Sequence, residues 1–171
     1  VNVYAIIKEG YWVTFDSDDG SAIDSQFVFD KISLNDQTTP KKPGYTFDGW
    51  YNGTEKVEND ATISSPMTLT AHWTPEKVSY TVIHWWENAD DDGYSFHESE
   101  NKTGLTGTEA NAKAKSYEGF TAQPVTKKTI KGDGSTIVSV YYKRNVYNVK
   151  FYSYSTPGFL WNPGKPSEEY V

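Results

Sequence analysis

The sequence predicts a mainly β fold with some α content, in two small modules that follow one another. One arrangement, in which an apolar strand ends, a few polar residues follow and a new strand begins, occurs three times. Aromatic residues make up 16 % of the 171 residues and suit pleated, half-buried strands. The chain has no Cys, so no disulfide can hold a small module together and large rings must supply the core.

The repeated arrangement lies at 3–15, 69–87 and 138–151. Val13, Val82 and Val149 occupy its equivalent position, at intervals of 69 and 67 residues. The chain therefore divides into four parts: the last strand of a preceding repeat (1–9), a first module (10–76), a second module (77–144) and the truncated start of a third repeat (145–171).

Charge and motifs exclude several classes of function. The 16 Lys and Arg against 23 Asp and Glu give a net charge of −7, which argues against nucleic acid or an anionic membrane as partner. No apolar run reaches the length that spans a bilayer, so we expect no membrane insertion in this segment. Nucleophile-elbow, zinc-protease, P-loop and dinucleotide motifs are absent, so the sequence predicts neither an enzyme nor a cofactor.

The first module begins with a predicted strand from Tyr11 to Asp16. Its inward residues alternate with Trp12 and other outward ones, as in a half-buried strand. A second run from Ile23 to Phe29 completes a hairpin over 11–29. Residues 30–43 are predicted to form a loop with at most a short helix.

Two further strands complete this module. The strand at 44–51 ends in an Asn52-Gly53 turn, and the strand at 67–73 has a polar face that carries Thr70 and His72. We expect positive φ at the glycines that follow Asn or Asp in the proposed turns: Gly20, Gly53, Gly93 and Gly134. A six-residue link, 74–79, leads to the second module.

Strings within 11–73 resemble the Listeria-Bacteroides repeat, the module known from internalin B-repeats: VTFDSDDGSAIDSQ, GYTFDGWY and MTLTAHW. The resemblance implies a ubiquitin-like β-grasp fold and a place among tandem modules of large bacterial surface proteins. Residues 27–39 differ from the family, whose members usually have a Gly-containing turn and more Pro there.

The second module opens with a predicted strand whose two faces are both apolar, from Tyr80 to Trp86, so each face needs a cover. After a turn at 88–93 and a strand at 94–100, residues 108–115 are rich in helix formers and predict two or three helical turns. A hairpin of 128–130 and 136–142 is predicted around Asp133-Gly134.

The second module resembles the mucin-binding-protein (MucBP) type of repeat over about 79–144. The strings that carry this resemblance are YTVIHWWENADDDGYSFHESE, TGLTGTEANAKAKSYEGFTAQP and GDGSTIVSVYYKR. It implies β-grasp character again. The predicted fold class is thus mainly β or α+β, with two tandem β-grasp modules arranged end to end.

A weak metal candidate lies in the turn after the opening strand of the second module. Asn88, Asp90 and Asp92 precede Gly93 as in the start of a calcium loop, but the twelfth position is Ser99 instead of a bidentate Glu. A turn of solvated acids is the favoured interpretation, and no metal site is predicted. The three histidines, His72, His84 and His97, fall on different strands, so we expect them to be satisfied locally or to face solvent.

Trp12, Trp85 and Trp86 are the candidate ligand-binding residues, because planar rings can stack on sugars or anchor a protein interface. Core packing is the competing interpretation for tryptophans in a small module, Trp161 included. Trp12 is the exception, since its strand alternation places it outside.

These features predict a non-catalytic repeat segment of a bacterial surface protein, acting as stalk or adhesion modules. One alternative is a recognition module that binds host glycoprotein or polysaccharide through exposed aromatics. Another is an accessory domain of a secreted hydrolase. The predicted location is extracellular, on a Gram-positive cell wall to which other parts of the protein attach it. Neighbouring repeats of the same chain are the other expected partners.

Overall fold

The computed structural model describes residues 8–152 and 169–170, in which every regular element is a strand. The eleven strands are β1 (Tyr11–Asp16), β2 (Gln26–Val28), β3 (Tyr45–Asn52), β4 (Glu55–Lys56), β5 (Met67–Pro75), β6 (Lys77–Glu87), β7 (Tyr94–Leu105), β8 (Phe120–Ala122), β9 (Ile137–Arg144), β10 (Phe151–Tyr152) and β11 (Glu169–Tyr170). They form sheets of five, four and two strands. The predicted mainly β fold in two modules is confirmed.

The first sheet has the order β2-β1-β5-β3-β4. Its first and last long strands, β1 and β5, are parallel neighbours at the centre, with Phe15 opposite Leu69. The alternation along both strands sends apolar side chains to one face, where they form a core with residues from the loops. The buried members are Val13, Phe15, Val28, Ile32, Trp50, Ile63, Leu69 and Ala71.

The second sheet, β7-β6-β9-β8, repeats this plan with one strand fewer. Its opening strand β6 is again parallel to its closing strand β9, with Val82 opposite Val138, and β7 and β8 flank them antiparallel. Each module also has an isolated antiparallel β-bridge outside its strands. Lys31 pairs with Thr62 in the first module, and Glu109 pairs with Thr129 in the second. The separate second core consists of Tyr80, Val82, Ala110, Ile130, Val138, Val140 and Tyr142.

The predicted hairpin over 11–29 is confirmed, because β1 and β2 pair antiparallel. Its turn differs in detail. Asp18 and Asp19 have positive φ, 46° and 63°, whereas Gly20 and Gly93 do not. Asp tolerates this conformation through local hydrogen bonds, and the Asp18 amide donates to the Asp16 carboxylate. Gly53 and Gly134 have positive φ as predicted.

The predicted helix over 108–115 is wrong. This segment is irregular chain that bonds to its surroundings: the Ala110 amide donates to the Lys128 carbonyl and the Lys115 amide donates to the Tyr142 hydroxyl. Eight residues gain too few internal hydrogen bonds to offset helix nucleation, so these tertiary partners decide the conformation. The loop predicted at 30–43 also has no helix.

The predicted hairpin of 128–130 with 136–142 does not form. Residues 128–130 lie against 107–110, with the Glu109–Thr129 bridge and backbone hydrogen bonds from Ile130 and Ala110, whereas β9 pairs with β6 and with the unpredicted strand β8. Strand β6 occupies one edge of β9 over 137–142, and β8 occupies the other edge over 142–144. Residues 128–130 do not join β9, because their backbone groups bond to 107–110.

The predicted six-residue link at 74–79 is wrong as well. Strand β5 continues to Pro75 and β6 begins at Lys77, so Glu76 alone separates the two sheets. Beyond β9, residues 145–150 are irregular, and β10 pairs with β11. The strand predicted at 3–7 and the Trp161 side chain lie outside the described residues. Within the described ranges no helix is long and apolar enough to cross a membrane.

Candidate functional site

Glu76 extends the hydrogen-bond ladders of both sheets. Its amide donates to the Gly44 carbonyl at 2.8 Å, one step beyond the β3–β5 pairing. Its carbonyl accepts from the Thr106 amide at 2.9 Å, one step beyond the β6–β7 pairing, and from the Thr106 hydroxyl at 3.2 Å. The strand therefore runs from the first module into the second without an unpaired residue.

Glycines permit the two modules to approach closely at this junction. A Cβ added at Gly132 would lie 1.8 Å from the Pro43 carbonyl oxygen. One added at Gly44, whose φ is 73°, would lie 2.4 Å from both the Gly132 Cα and the Thr106 hydroxyl oxygen. The junction thus combines backbone hydrogen bonds with a contact that a larger side chain would prevent.

An aromatic cluster lies on the outer side of the first sheet. Trp12 is 58 % exposed, as its alternation predicts, and packs edge-to-face on Phe27 with centroids 5.3 Å apart. Phe27 contacts Phe29 in the same way at 5.2 Å. Three exposed rings in one row form a surface that can accept a flat ligand or an apolar side chain.

The outer face of the second sheet carries another aromatic cluster, around Trp85. The Trp85 ring lies 6.2 Å from Phe96 and 6.4 Å from Tyr141, and Tyr94 packs edge-to-face on Tyr141. Phe96 is 59 % exposed. The indole N–H of Trp85 is buried and has no hydrogen-bond partner among the described residues. Among the described residues, the rings that pack near Trp85 on this face come from the neighbouring strands β7 and β9.

Trp86 points to the opposite, inner face, so the three candidate tryptophans do not form one site. It stacks on His97 at 3.5 Å and on Phe120 at 4.4 Å, and it packs against the second core. The β6–β7 register shifts between His84 and Trp85, which inserts His97 as an extra residue beside Trp86.

His84 is the centre of a polar chain that the sequence did not reveal. The ring is fully buried, with Nδ1 2.8 Å from the Tyr142 hydroxyl and Nε2 3.0 Å from a Glu100 carboxylate oxygen. Because the Tyr142 oxygen already accepts the Lys115 amide, its O–H can donate to Nδ1 while Nε2–H donates to Glu100. His84 is therefore satisfied locally, as expected, although its partners were not foreseen. His72 lies apart, stacked on Tyr51 at 3.8 Å.

Ion pairs extend this chain to the surface. The Lys115 ammonium lies 2.8 Å from Glu100 and 2.9 Å from Glu98, and the Tyr117 hydroxyl donates to Glu98. The hydrogen bond from Lys115, with a smaller contribution from Lys102, lowers the pKa of Glu100 to about 2. Burial, and then the hydrogen bond to Glu98, raises the pKa of Tyr117. These groups neutralise one another, which is typical of a structural network.

The turn at 88–93 is closed by its own side chains. The Asn88 amide group donates to the Asp91 carboxylate at 2.7 Å, and the Gly93 amide donates to the same oxygen. These hydrogen bonds lower the pKa of Asp91, the Asn88 bond more than the Gly93 bond. Within 8–152 and 169–170, no three His, Asp or Glu side chains come together as a metal site.

Sequence reasoning missed the junction residues Gly44, Glu76, Thr106 and Gly132. One available signal was the recurrence of Gly-aromatic-Thr, as Gly44-Tyr45-Thr46 and Gly119-Phe120-Thr121.

Comparison with known proteins gives one family match. Residues 11–72 match the model of the Listeria-Bacteroides repeat domain, which confirms the resemblance predicted for the first module. The MucBP-like resemblance of the second module stays a prediction. No curated protein matches the chain. Among solved structures, the crystal structure of Mub-RV aligns with 80 % of this chain and 99 % of its own at 11 % identity and a TM-score of 0.22, which supports no inference.

Proposed function

We propose that this chain is a non-catalytic repeat segment of a bacterial cell-surface protein, in which tandem modules serve as a stalk. Two sheets of one plan, each with its own core, are the arrangement expected of a repeat array. The match of 11–72 to a repeat-domain family supports the same function. We place the module boundaries at 10–76 and 77–144, with repeats on either side.

The junction at Glu76 is the observation that carries the proposal. A stalk must hold its modules at a fixed angle, and a flexible linker cannot do this. Here a single residue joins the sheets, and its amide and carbonyl bond to opposite modules. The close contact of Gly132 with Pro43 adds a steric limit to rotation.

Surface location can be tested on intact cells of the bacterium that produces the chain. Antibodies against residues 8–152 should label unpermeabilised cells, and brief protease treatment should remove the label. A cytosolic marker that stays unlabelled serves as the control. Labelling that requires permeabilised cells would contradict the proposal.

A second candidate function, recognition of host glycoprotein or polysaccharide, is favoured by the two exposed aromatic clusters. Rings in a row can stack on successive sugars, and Trp12 with Phe27 and Phe29 provides such a row. Binding to a glycan array that falls at least tenfold in Trp12→Ala or Trp85→Ala would support recognition. Tyr147→Ala is the control, because this residue is 72 % exposed and belongs to neither cluster. Equal binding by all variants, or none, would remove this candidate.

A further inference from the structure

The far end of the second module repeats the first-module half of the junction. The Asn145 amide donates to the Gly119 carbonyl at 2.8 Å, as Glu76 donates to Gly44. The Thr121 hydroxyl donates to the Asn145 side chain at 2.6 Å, as Thr46 donates to Glu76 at 2.5 Å. The matching glycines have φ of 73° and 78°.

Strand register confirms that these positions are equivalent. Tyr45 pairs with Pro75 immediately before Glu76, and Phe120 pairs with Arg144 immediately before Asn145. Both ends therefore offer the carbonyl of the junction residue, one step past the last pair of the sheet, to an incoming donor.

The end of the first module at Glu76 and the end of the second module at Asn145 differ in the residues that contact them. At the first, Thr106 donates to the Glu76 carbonyl, and a Cβ at Gly44 would meet Gly132 and Thr106 at 2.4 Å. At the second, a Cβ at Gly119 would meet no atom of the described residues within 4 Å. The second end thus has the same geometry as the surface that forms the interface at the first junction, and none of the described residues covers its glycine.

The chain that leaves this end has the pattern of an opening strand. Tyr147, Val149 and Phe151 alternate as Tyr80 and Val82 do, yet their exposures are 72 %, 60 % and 67 % against 2 % and 0 %. Alternating apolar residues in this position belong on the inner face of a sheet.

We infer that the surface formed by Glu118, Gly119, Thr121 and Asn145 docks the head of a further module of the same design, continuous with this chain through Asn145. The incoming head needs a threonine whose amide reaches the Asn145 carbonyl, as Thr106 reaches Glu76. It also needs a glycine against the Glu118 carbonyl, as Gly132 lies against Pro43. This inference rests on the proposed tandem-repeat function and names the surface through which the array continues.

A three-module protein tests it: residues 1–145 followed by a second copy of 77–171. Because the chain has no Cys, spin labels can be attached at Lys113→Cys in both copies of the second module. The two Lys113→Cys labels report on the new junction, and a separate variant labelled at Asp24→Cys and Lys113→Cys reports on the first junction. The two distance distributions should be equally narrow. Gly132→Val in the appended module should broaden the distribution across the new junction at least twofold, whereas the neighbouring Lys131→Val should not.

Each outcome separates the two claims. A broad distribution at the new junction with a narrow one at the first overturns the inference and leaves the proposed stalk intact; broad distributions at both overturn the stalk as well. Hydrogen exchange provides a measurement that needs no variant, so it applies even when the Gly132→Val protein does not fold. The amide of Thr106 in the appended module should exchange at least tenfold more slowly than a free amide, and free exchange there contradicts docking.

Discussion

The Tyr142 hydroxyl shows how one buried group depends on distant partners. It accepts the Lys115 amide and lies 2.8 Å from His84 Nδ1, and each of these groups comes from a different part of the module. The sequence predicted that His84 would be satisfied locally or face solvent, and the structure buries it with hydrogen-bond partners. The sequence could not identify Tyr142, Glu100 or Lys115 as partners, because the parallel pairing and the irregular 108–115 segment that bring them together are nonlocal.

We predict that Tyr142→Phe destabilises the protein by about 1–3 kcal/mol, because it leaves a part-buried amide and a buried imidazole nitrogen without a partner. Urea denaturation measures this change. Tyr141→Phe is the matched control, since Tyr141 is 41 % exposed on the other face of the sheet. Loss of its hydroxyl should change the free energy of unfolding by less than about 0.5 kcal/mol. Equal effects of the two variants would mean that the buried network contributes nothing.

The lowered pKa of Glu100 predicts that the folded protein loses stability as the pH falls. The Glu100 pKa is lowered from 4.5 to about 2 in the folded protein, so the unfolded chain takes up the proton first as pH falls. The stabilisation is complete above pH 4.5 and is lost between there and pH 2. With solvent screening of this partly exposed group, the loss is on the order of 1 kcal/mol.

Melting temperatures between pH 5 and pH 2 test this dependence. Glu100→Gln should have a shallower decline than the unmodified protein. Glu109→Gln is the control, because its partner Lys127 is 78 % exposed. A decline of unchanged slope in Glu100→Gln would show that other carboxylates determine acid stability.

At the scale of elements, strands with clear alternation were predictable and segments held by tertiary contacts were not. Strands β1, β3 and β5 follow the pattern of their own residues. The 108–115 segment has helix-forming residues but takes its conformation from Lys128 and Tyr142. The three-residue strand β8 exists only because β9 offers it an edge, which no local pattern indicates.

The junction is the element whose failure should separate the modules. We predict that Gly132→Ala destabilises the protein by roughly 1–3 kcal/mol, because the new methyl group overlaps the Pro43 carbonyl and the backbone must move. Exchange of the Thr106 amide should accelerate by at least tenfold, and Lys131→Ala should leave it unchanged. Slow exchange in Gly132→Ala would show that the contact does not hold the junction together.

At the scale of the whole molecule, the repeat in the sequence predicted the two sheets, since equal patterns fold alike. The first-module resemblance was also recognisable from its strings. The sequence predicted modules arranged end to end, but not that one strand would run from the first into the second. Residues 74–79 contain Pro75 and polar residues and so look like a linker, whereas the two ladders meet at Glu76. Likewise, the alternation assigned Trp12 to the surface, but a register shift decides how Trp86 contacts His97.

Residual dipolar couplings of backbone amides test the central claim, a rigid junction between two modules, most directly. If Glu76 and the glycine contact fix the modules, one alignment tensor should fit the amides of β1–β5 and β6–β9 together. In Gly132→Val the two sets should require separate tensors of different magnitude. Separate tensors in the unmodified protein would show that the modules move independently, and the stalk would then lack its structural basis.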